Sequence, residues 1–292
     1  MAACNFLRNS QTTLVFNGRM KRLILALAAA LFTVGVVPGL ASAQEIQVGD
    51  TTTALAAPTC PQEATVKLTQ AACTIVLAKT TAYQTLSDGT ADPSLITTPG
   101  VIDSFTLGIS GLVIQGATLS ADVATLNGLW GGAPSAQLTV LRPVASANGP
   151  RWAVAAQSPV IPLLSYLGGV VEFPLIAPLP VVKGELLAIT VPTWAPILTI
   201  GLSTSDFSYA QSHTQVLTGT GTAQTSSCNT TATATPLAQV TLGEQALYTC
   251  EFPGTRVEYS ALEVTAPSVS TSSRVHHHRT RHASKHHAAS KR

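Results

Sequence analysis

Glycine and proline recur so often between residues 44 and 267 that no long helix can be laid down there. The whole chain of 292 residues carries 21 Gly and 18 Pro. Between these breakers lie short runs rich in Thr, Val, Ile, Leu and Ala, the composition of strands rather than of amphipathic helices. Candidate strands are 73–79, 101–108, 136–142, 152–157, 169–176, 185–191, 197–203, 245–251 and 256–264. Turn signals separate them: Asp88-Gly89, Asn127-Gly128, Gly131-Gly132, Asn148-Gly149-Pro150 and Lys183-Gly184. In 136–142, Leu138, Val140 and Arg142 alternate with Gln137, Thr139 and Leu141, an imperfect period of two that suits a strand covered on both faces. No helical run of convincing length is expected after residue 44. The pattern predicts an all-β chain with a single antiparallel β-sandwich or jelly-roll-like domain over residues 44–267. Residues 218–236 form a polar low-complexity loop within it, and residues 268–292 a disordered basic, His-rich tail.

The front of the chain sets the compartment. Residues 1–43 read as a leader with a signal peptide, the true start falling at Met20. Lys21 and Arg22 precede an uncharged apolar run from Leu23 to Val37, Pro38-Gly39 break it, and Ala41-Ser42-Ala43 supply small residues for cleavage ahead of Gln44. The apolar run is shorter than the roughly 20 residues that span a bilayer, so a cleaved signal is preferred to a membrane anchor. A secreted, extracellular or cell-wall-associated protein follows.

Cysteine usage agrees with export. Cys4 lies in the leader, leaving Cys60, Cys73, Cys228 and Cys250, an even number suited to two disulfides. The local pairs Cys60–Cys73 and Cys228–Cys250 are favoured over the other two connectivities. Neither pair has the short spacing of a zinc site.

Four of these segments carry a resemblance. "CTIVLAKT" (73–80), "PGVIDSFTL" (99–107), "AQLTVLRPV" (136–144) and "VVEFPLIAPLPVVKGELLAI" (170–189) resemble a family of secreted actinobacterial β-sandwich proteins over about residues 60–210. Glu185 stands where that family has Asp, and Ala188 where it has Gly. The resemblance implies the fold and the export. It brings no catalytic residues, because the family has no assigned activity.

Chemistry is sparse. His213, with Asp206, Ser208 and Ser212 near it in sequence, lacks the G-x-S-x-G turn of a nucleophile elbow and reads as a solvated histidine. Asp103, Asp122, Glu172, Glu185, Asp206 and Glu244 are scattered singly, although Glu172 and Glu185 flank a proline-rich hairpin and could face each other. Asp88 to Asp92 offers two carboxylates on a turn without the spacing of a calcium loop, so a turn capped by its own side chain is preferred. Asn229 begins a glycosylation sequon. Trp130, in a glycine-rich stretch, is the ring with least obvious core to fill. It is the candidate carbohydrate contact, against the alternative of a loop anchor packed on the sheet. No cofactor and no enzymatic activity are expected.

Charge divides the chain. Residues 44–267 hold 6 basic and 14 acidic groups, whereas residues 268–292 hold 6 basic groups and no acid. Arg274, Arg279, Arg281, Lys285, Lys291 and Arg292 suit a polyanion such as a cell-wall polymer or polysaccharide, bound through counterion release without reading any nucleic-acid sequence. His276, His277, His278, His282, His286 and His287 are weaker candidates for a transition metal, since the interleaved Arg and Lys repel a cation. An idle terminus is the third reading. The function expected is a secreted non-catalytic interaction module, with a carbohydrate-binding or carbohydrate-acting domain as the alternative and metal binding through the tail third. Peptide mapping of the non-reduced protein should return Cys60–Cys73 and Cys228–Cys250; a Cys60–Cys250 peptide would refute that pairing.

Overall fold

The computed structural model describes residues 43–49, 52–59, 75–112, 118–214 and 236–265, all within one compact unit, Ala41–Arg292. In chain order the elements are β1 (Gln44–Val48), β2 (Leu77–Ser87), β3 (Thr90–Ala91), β4 (Gly100–Gly108), α1 (Leu119–Trp130), β5 (Ser135–Pro143), β6 (Arg151–Gln157), β7 (Ile161–Pro162), a 3₁₀ turn (Leu164–Tyr166), β8 (Val170–Val181), β9 (Leu186–Ala195), β10 (Leu198–Ile200), β11 (Ser208–His213), β12 (Gln245–Pro253), β13 (Thr255–Val257) and β14 (Tyr259–Thr265). Every strand pairing is antiparallel. The β2–β3 turn is Asp88-Gly89 with φ of 48° and 74°, the left-handed pair that a two-residue hairpin needs to match the strand twist.

Among the described residues the chain is mostly β and antiparallel, as expected, but its larger sheet is not an open layer. The order β11-β12-β6-β5-β9-β2 returns to its start, because β11 pairs with β2 as well as with β12 (Ser208↔Leu86, Gln211↔Ala82). Six strands therefore close into a ring. Tyr83, Leu141, Val154, Leu186, Ala188, Ala210, Ala246 and Tyr248 come from all six strands and form one buried cluster, which places it inside the ring. Closure removes two sheet edges that would otherwise offer unpaired backbone to other chains.

The second sheet, β1-β14-β4-β8, covers the outer wall of the ring. Ile102, Phe105, Leu107, Phe173, Leu179, Tyr259 and Ala261 on one side share a core with Ala82, Leu138, Val140, Leu187, Ile189 and Val191 on the other. β5 and β9 are thus buried on both faces, Leu138, Val140, Leu187 and Ile189 toward one core and Thr139, Leu141, Ala188 and Thr190 toward the other. The Tyr259 hydroxyl spans the two layers. It donates to Leu187 O (2.8 Å) and accepts from the Gln84 N–H (3.3 Å), so Ser94 Oγ, at 2.7 Å, is the donor to its remaining lone pair. Edge strand β8 carries Pro174, Pro178 and Pro180. These positions offer no N–H, a known way of blunting an exposed edge.

Residues 52–59 are lashed across the fold by two carboxylates. Asp88 accepts from Thr53 N (2.8 Å) and Thr53 Oγ1 (2.6 Å). Glu258 accepts from Ala56 N (3.2 Å) and Thr199 Oγ1 (2.6 Å), and lies 3.8 Å from Arg256 Nε. A Cβ on Gly108 would sit 2.0 Å from Ala56 O, so only glycine lets this segment pass.

Two expectations are corrected. A helix does form after residue 44, α1, capped by the Thr118 hydroxyl on Ala121 N (3.3 Å) and ended by Gly131 in the left-handed conformation (φ 76°). Asn127-Gly128 is inside that helix rather than a turn, and Asn127 Oδ1 accepts from Trp194 Nε1 (3.0 Å). The stretch 170–189 is not a hairpin: β8 pairs with β4, while β9 pairs with β2 and β5 in the other sheet. Glu172 and Glu185 consequently do not face each other. Glu172 accepts from Ser104 Oγ (2.6 Å), and Glu185 pairs with Arg142 (3.2 Å) and caps Val182 N (2.9 Å).

Replacing Tyr259 with Phe keeps the ring and deletes the three-way bond. A loss of about 1–3 kcal/mol is expected, a fall in Tm of roughly 2–4 °C per kcal/mol in a thermal melt.

Candidate functional site

The densest polar feature among the described residues lies inside the ring and is built around Gln239. This residue follows Pro236-Leu237-Ala238, which lies beside β11 through the bridge His213↔Pro236. It is fully buried. Its amide nitrogen donates to Trp152 O (3.2 Å) and Glu244 O (2.8 Å), and its amide oxygen accepts from the Tyr248 hydroxyl. Its backbone N–H donates to Thr81 Oγ1 (3.0 Å), while its carbonyl accepts from Gln157 Nε2 (2.7 Å) and Thr190 Oγ1 (3.4 Å). One glutamine thereby touches β2, β6, β9 and β12.

A ladder of threonines completes the network. Thr190 Oγ1 lies 2.8 Å from Thr81 Oγ1 and 2.7 Å from Thr139 Oγ1, and Gln157 Nε2 donates to Thr139 Oγ1 (3.1 Å). Beside it Ser212 Oγ donates to Leu237 O (2.5 Å) and accepts from Thr81 N (2.8 Å). Burial raises the Tyr248 hydroxyl well above its ordinary range and pushes Tyr83 up to about 12, the Trp152 hydrogen bond opposing the latter. Both stay protonated at ordinary pH, and Tyr248 donates its proton to Gln239. Neutral side chains line the ring interior, with Trp152 edge-on to Tyr83 (6.0 Å, 73°). A satisfied network of this kind fixes one packing of the six strands. It presents neither an activated nucleophile nor a paired acid and base.

The residues singled out from sequence are dispersed. His213 is not solvated: it is 1 % exposed, and its Nε2 accepts from the Thr249 hydroxyl (2.8 Å) and the Thr249 N–H (3.3 Å), which puts the proton of the neutral ring on Nδ1. Ser208 donates instead to Glu251 (2.9 Å), Asp206 Oδ1 accepts from Ser205 (3.0 Å), and Ser212 belongs to the Gln239 network, so no Ser-His-Asp group is assembled. Asp88 holds Thr53 across the fold. Trp130 is the last residue of α1, half-buried against the cluster of Ile75, Leu112 and Trp194. Cys250 is buried on β12 and disulfide-bonded, its partner lying outside the described residues. Cys60, Cys73 and Cys228 also lie outside them, as do the loop 218–235 and every candidate Arg, Lys and His of the tail. Among the described residues no three His, Cys, Asp or Glu side chains come together as a metal site, and no helix is long and apolar enough to cross a membrane.

Carboxylates on the body are held mainly by neutral donors. Glu172 takes a serine hydroxyl, Glu251 takes Thr85 Oγ1 (2.8 Å) and Ser208, and Glu244 takes the N–H groups of Val240 (2.9 Å) and Thr241 (3.2 Å). Hydrogen bonds of this kind fix a carboxylate without cancelling its charge. Glu263, 1 % exposed on β14, has its carboxyl raised above the usual range by burial. No family model matches this chain, and neither does a curated protein or a solved structure.

Sequence reasoning missed Gln239 because it stands at the end of a polar low-complexity stretch, where nothing in the local pattern marks a buried amide. Gln239→Leu should leave the Tyr248 hydroxyl without its buried acceptor and take one donor each from the Trp152 and Glu244 carbonyls. An equilibrium urea titration should show a loss of about 2–4 kcal/mol.

Proposed function

We propose that this protein is a secreted, non-catalytic interaction module: a rigid acidic β-body, exported by residues 1–43, whose basic segment 268–292 grips an anionic polymer such as a cell-wall polysaccharide. The observation that carries this reading is electrostatic. Glu172, Glu244 and Glu251 are locked in place by hydroxyl and N–H groups, so the body keeps the negative balance of its sequence, and all the positive excess of the exported chain gathers in residues 268–292. A molecule polarised in this way binds polyanions at one end and is repelled at the other, which orients it on a charged surface. The ring interior is in keeping with the same reading, because Gln239, Tyr248, Tyr83 and Trp152 there bond and pack with one another. The resemblance to secreted β-sandwich proteins without assigned activity also fits.

Cosedimentation with purified cell wall, using the exported protein with and without residues 268–292, tests the proposal. The full chain should pellet at low salt, lose roughly tenfold or more of its affinity between 50 and 200 mM NaCl, and bind more tightly near pH 5, where the tail histidines are charged. Undiminished binding by the tailless protein would refute the proposal and point to a glycan-binding face on the body.

A further inference from the structure

We infer that the mature chain begins at Gln44 and that this residue closes into a pyroglutamyl lactam, an inference that rests on reading residues 1–43 as a cleaved leader. Three observations meet at this point. The small residues Ala41-Ser42-Ala43 end the leader motif and put glutamine first after the cut. The compact unit of the fold begins at Ala41, and β1 begins at Gln44 itself, so the cleavage point and the first strand residue coincide. Gln44 is exposed, and its place is held through the backbone: it pairs with Thr265, whose hydroxyl donates to Gln44 O (3.2 Å).

The chemistry needs nothing beyond the chain. Cleavage frees the α-amine of Gln44, which in the precursor is a peptide nitrogen and unreactive. The amine lone pair attacks Cδ of the same residue's side-chain amide and forms an N–Cδ bond. The Cδ–Nε2 bond breaks, and the amine's surplus proton leaves with that nitrogen as ammonia. The product is a five-membered lactam with one remaining N–H. No oxidation state changes, and no co-reactant is required. Closing the ring needs rotation only about the bonds of an exposed side chain, while the carbonyl stays on Thr265.

The lactam alters the end of the molecule in two ways. It removes the terminal positive charge, so an acidic body becomes more so. It also leaves no free amine for an aminopeptidase at β1, an edge strand whose described pairing is to β14 alone.

Mass spectrometry of the exported protein tests this. The N-terminal peptide should start at Gln44, weigh about 17 Da less than its sequence (the mass of ammonia), and resist an amine-reactive label. Pyroglutamyl aminopeptidase should then expose Glu45 to the label. Gln44→Ala should be cut at the same place and label without that treatment. A peptide starting at Gln44 with a free amine after prolonged storage would overturn the lactam and leave the leader reading standing. A mature terminus at any other residue would overturn both.

Discussion

Two sheets of this protein meet around one phenolic oxygen. Tyr259 belongs to the four-stranded sheet, while its partners Leu187, Gln84 and Ser94 belong to the ring strands and the loop beyond β3. An apolar core alone would allow the layers to slide, because burial is indifferent to direction. A buried hydroxyl whose single donor and two lone pairs are all matched does not. Gln84 extends the same constraint: its Nε2 donates to Leu86 O (2.8 Å) and its Oε1 accepts from Val257 N (2.8 Å), tying β2 to β13. The register between the layers is thus written in a few polar atoms set within the largest apolar cluster of the molecule.

Inside the ring the same logic runs with the opposite composition. One half of the interior is aromatic and aliphatic, the other a threonine and glutamine ladder centred on Gln239. Such an interior is costly when incomplete and specific when complete. The ring accordingly serves as a frame on which the surface groups are mounted. There the carboxylates are positioned by neutral donors, so a rigid shape and an undiminished negative field coexist.

The strands were legible where burial imposes a period. β4, β5, β6, β9 and β12 fall within a few residues of their expected spans, because Leu138, Val140, Leu187 and Ile189 must face one core while Thr139, Leu141, Ala188 and Thr190 face another. The helix was not legible. Asn127-Gly128 and Gly131-Gly132 look like turns in any local window, and only the reach of Trp194 to Asn127 and the left-handed Gly131 give that stretch its helical meaning. The joining of β11 to β2 was equally hidden, since pairing between distant segments leaves no local mark. His213 misled for a related reason: a histidine among serines looks hydrated until a neighbouring strand supplies Thr249 as its partner. Of the candidate site residues, Trp130 and Cys250 fall among the described ones, and neither lies in a catalytic arrangement.

Ring closure has a temporal side. β2 and β11 stand about 120 residues apart in the chain, and contacts at such separation form late and slowly in β proteins. Completion of the ring therefore waits on the two pairings of β2, with β9 and with β11, which are its longest-range contacts.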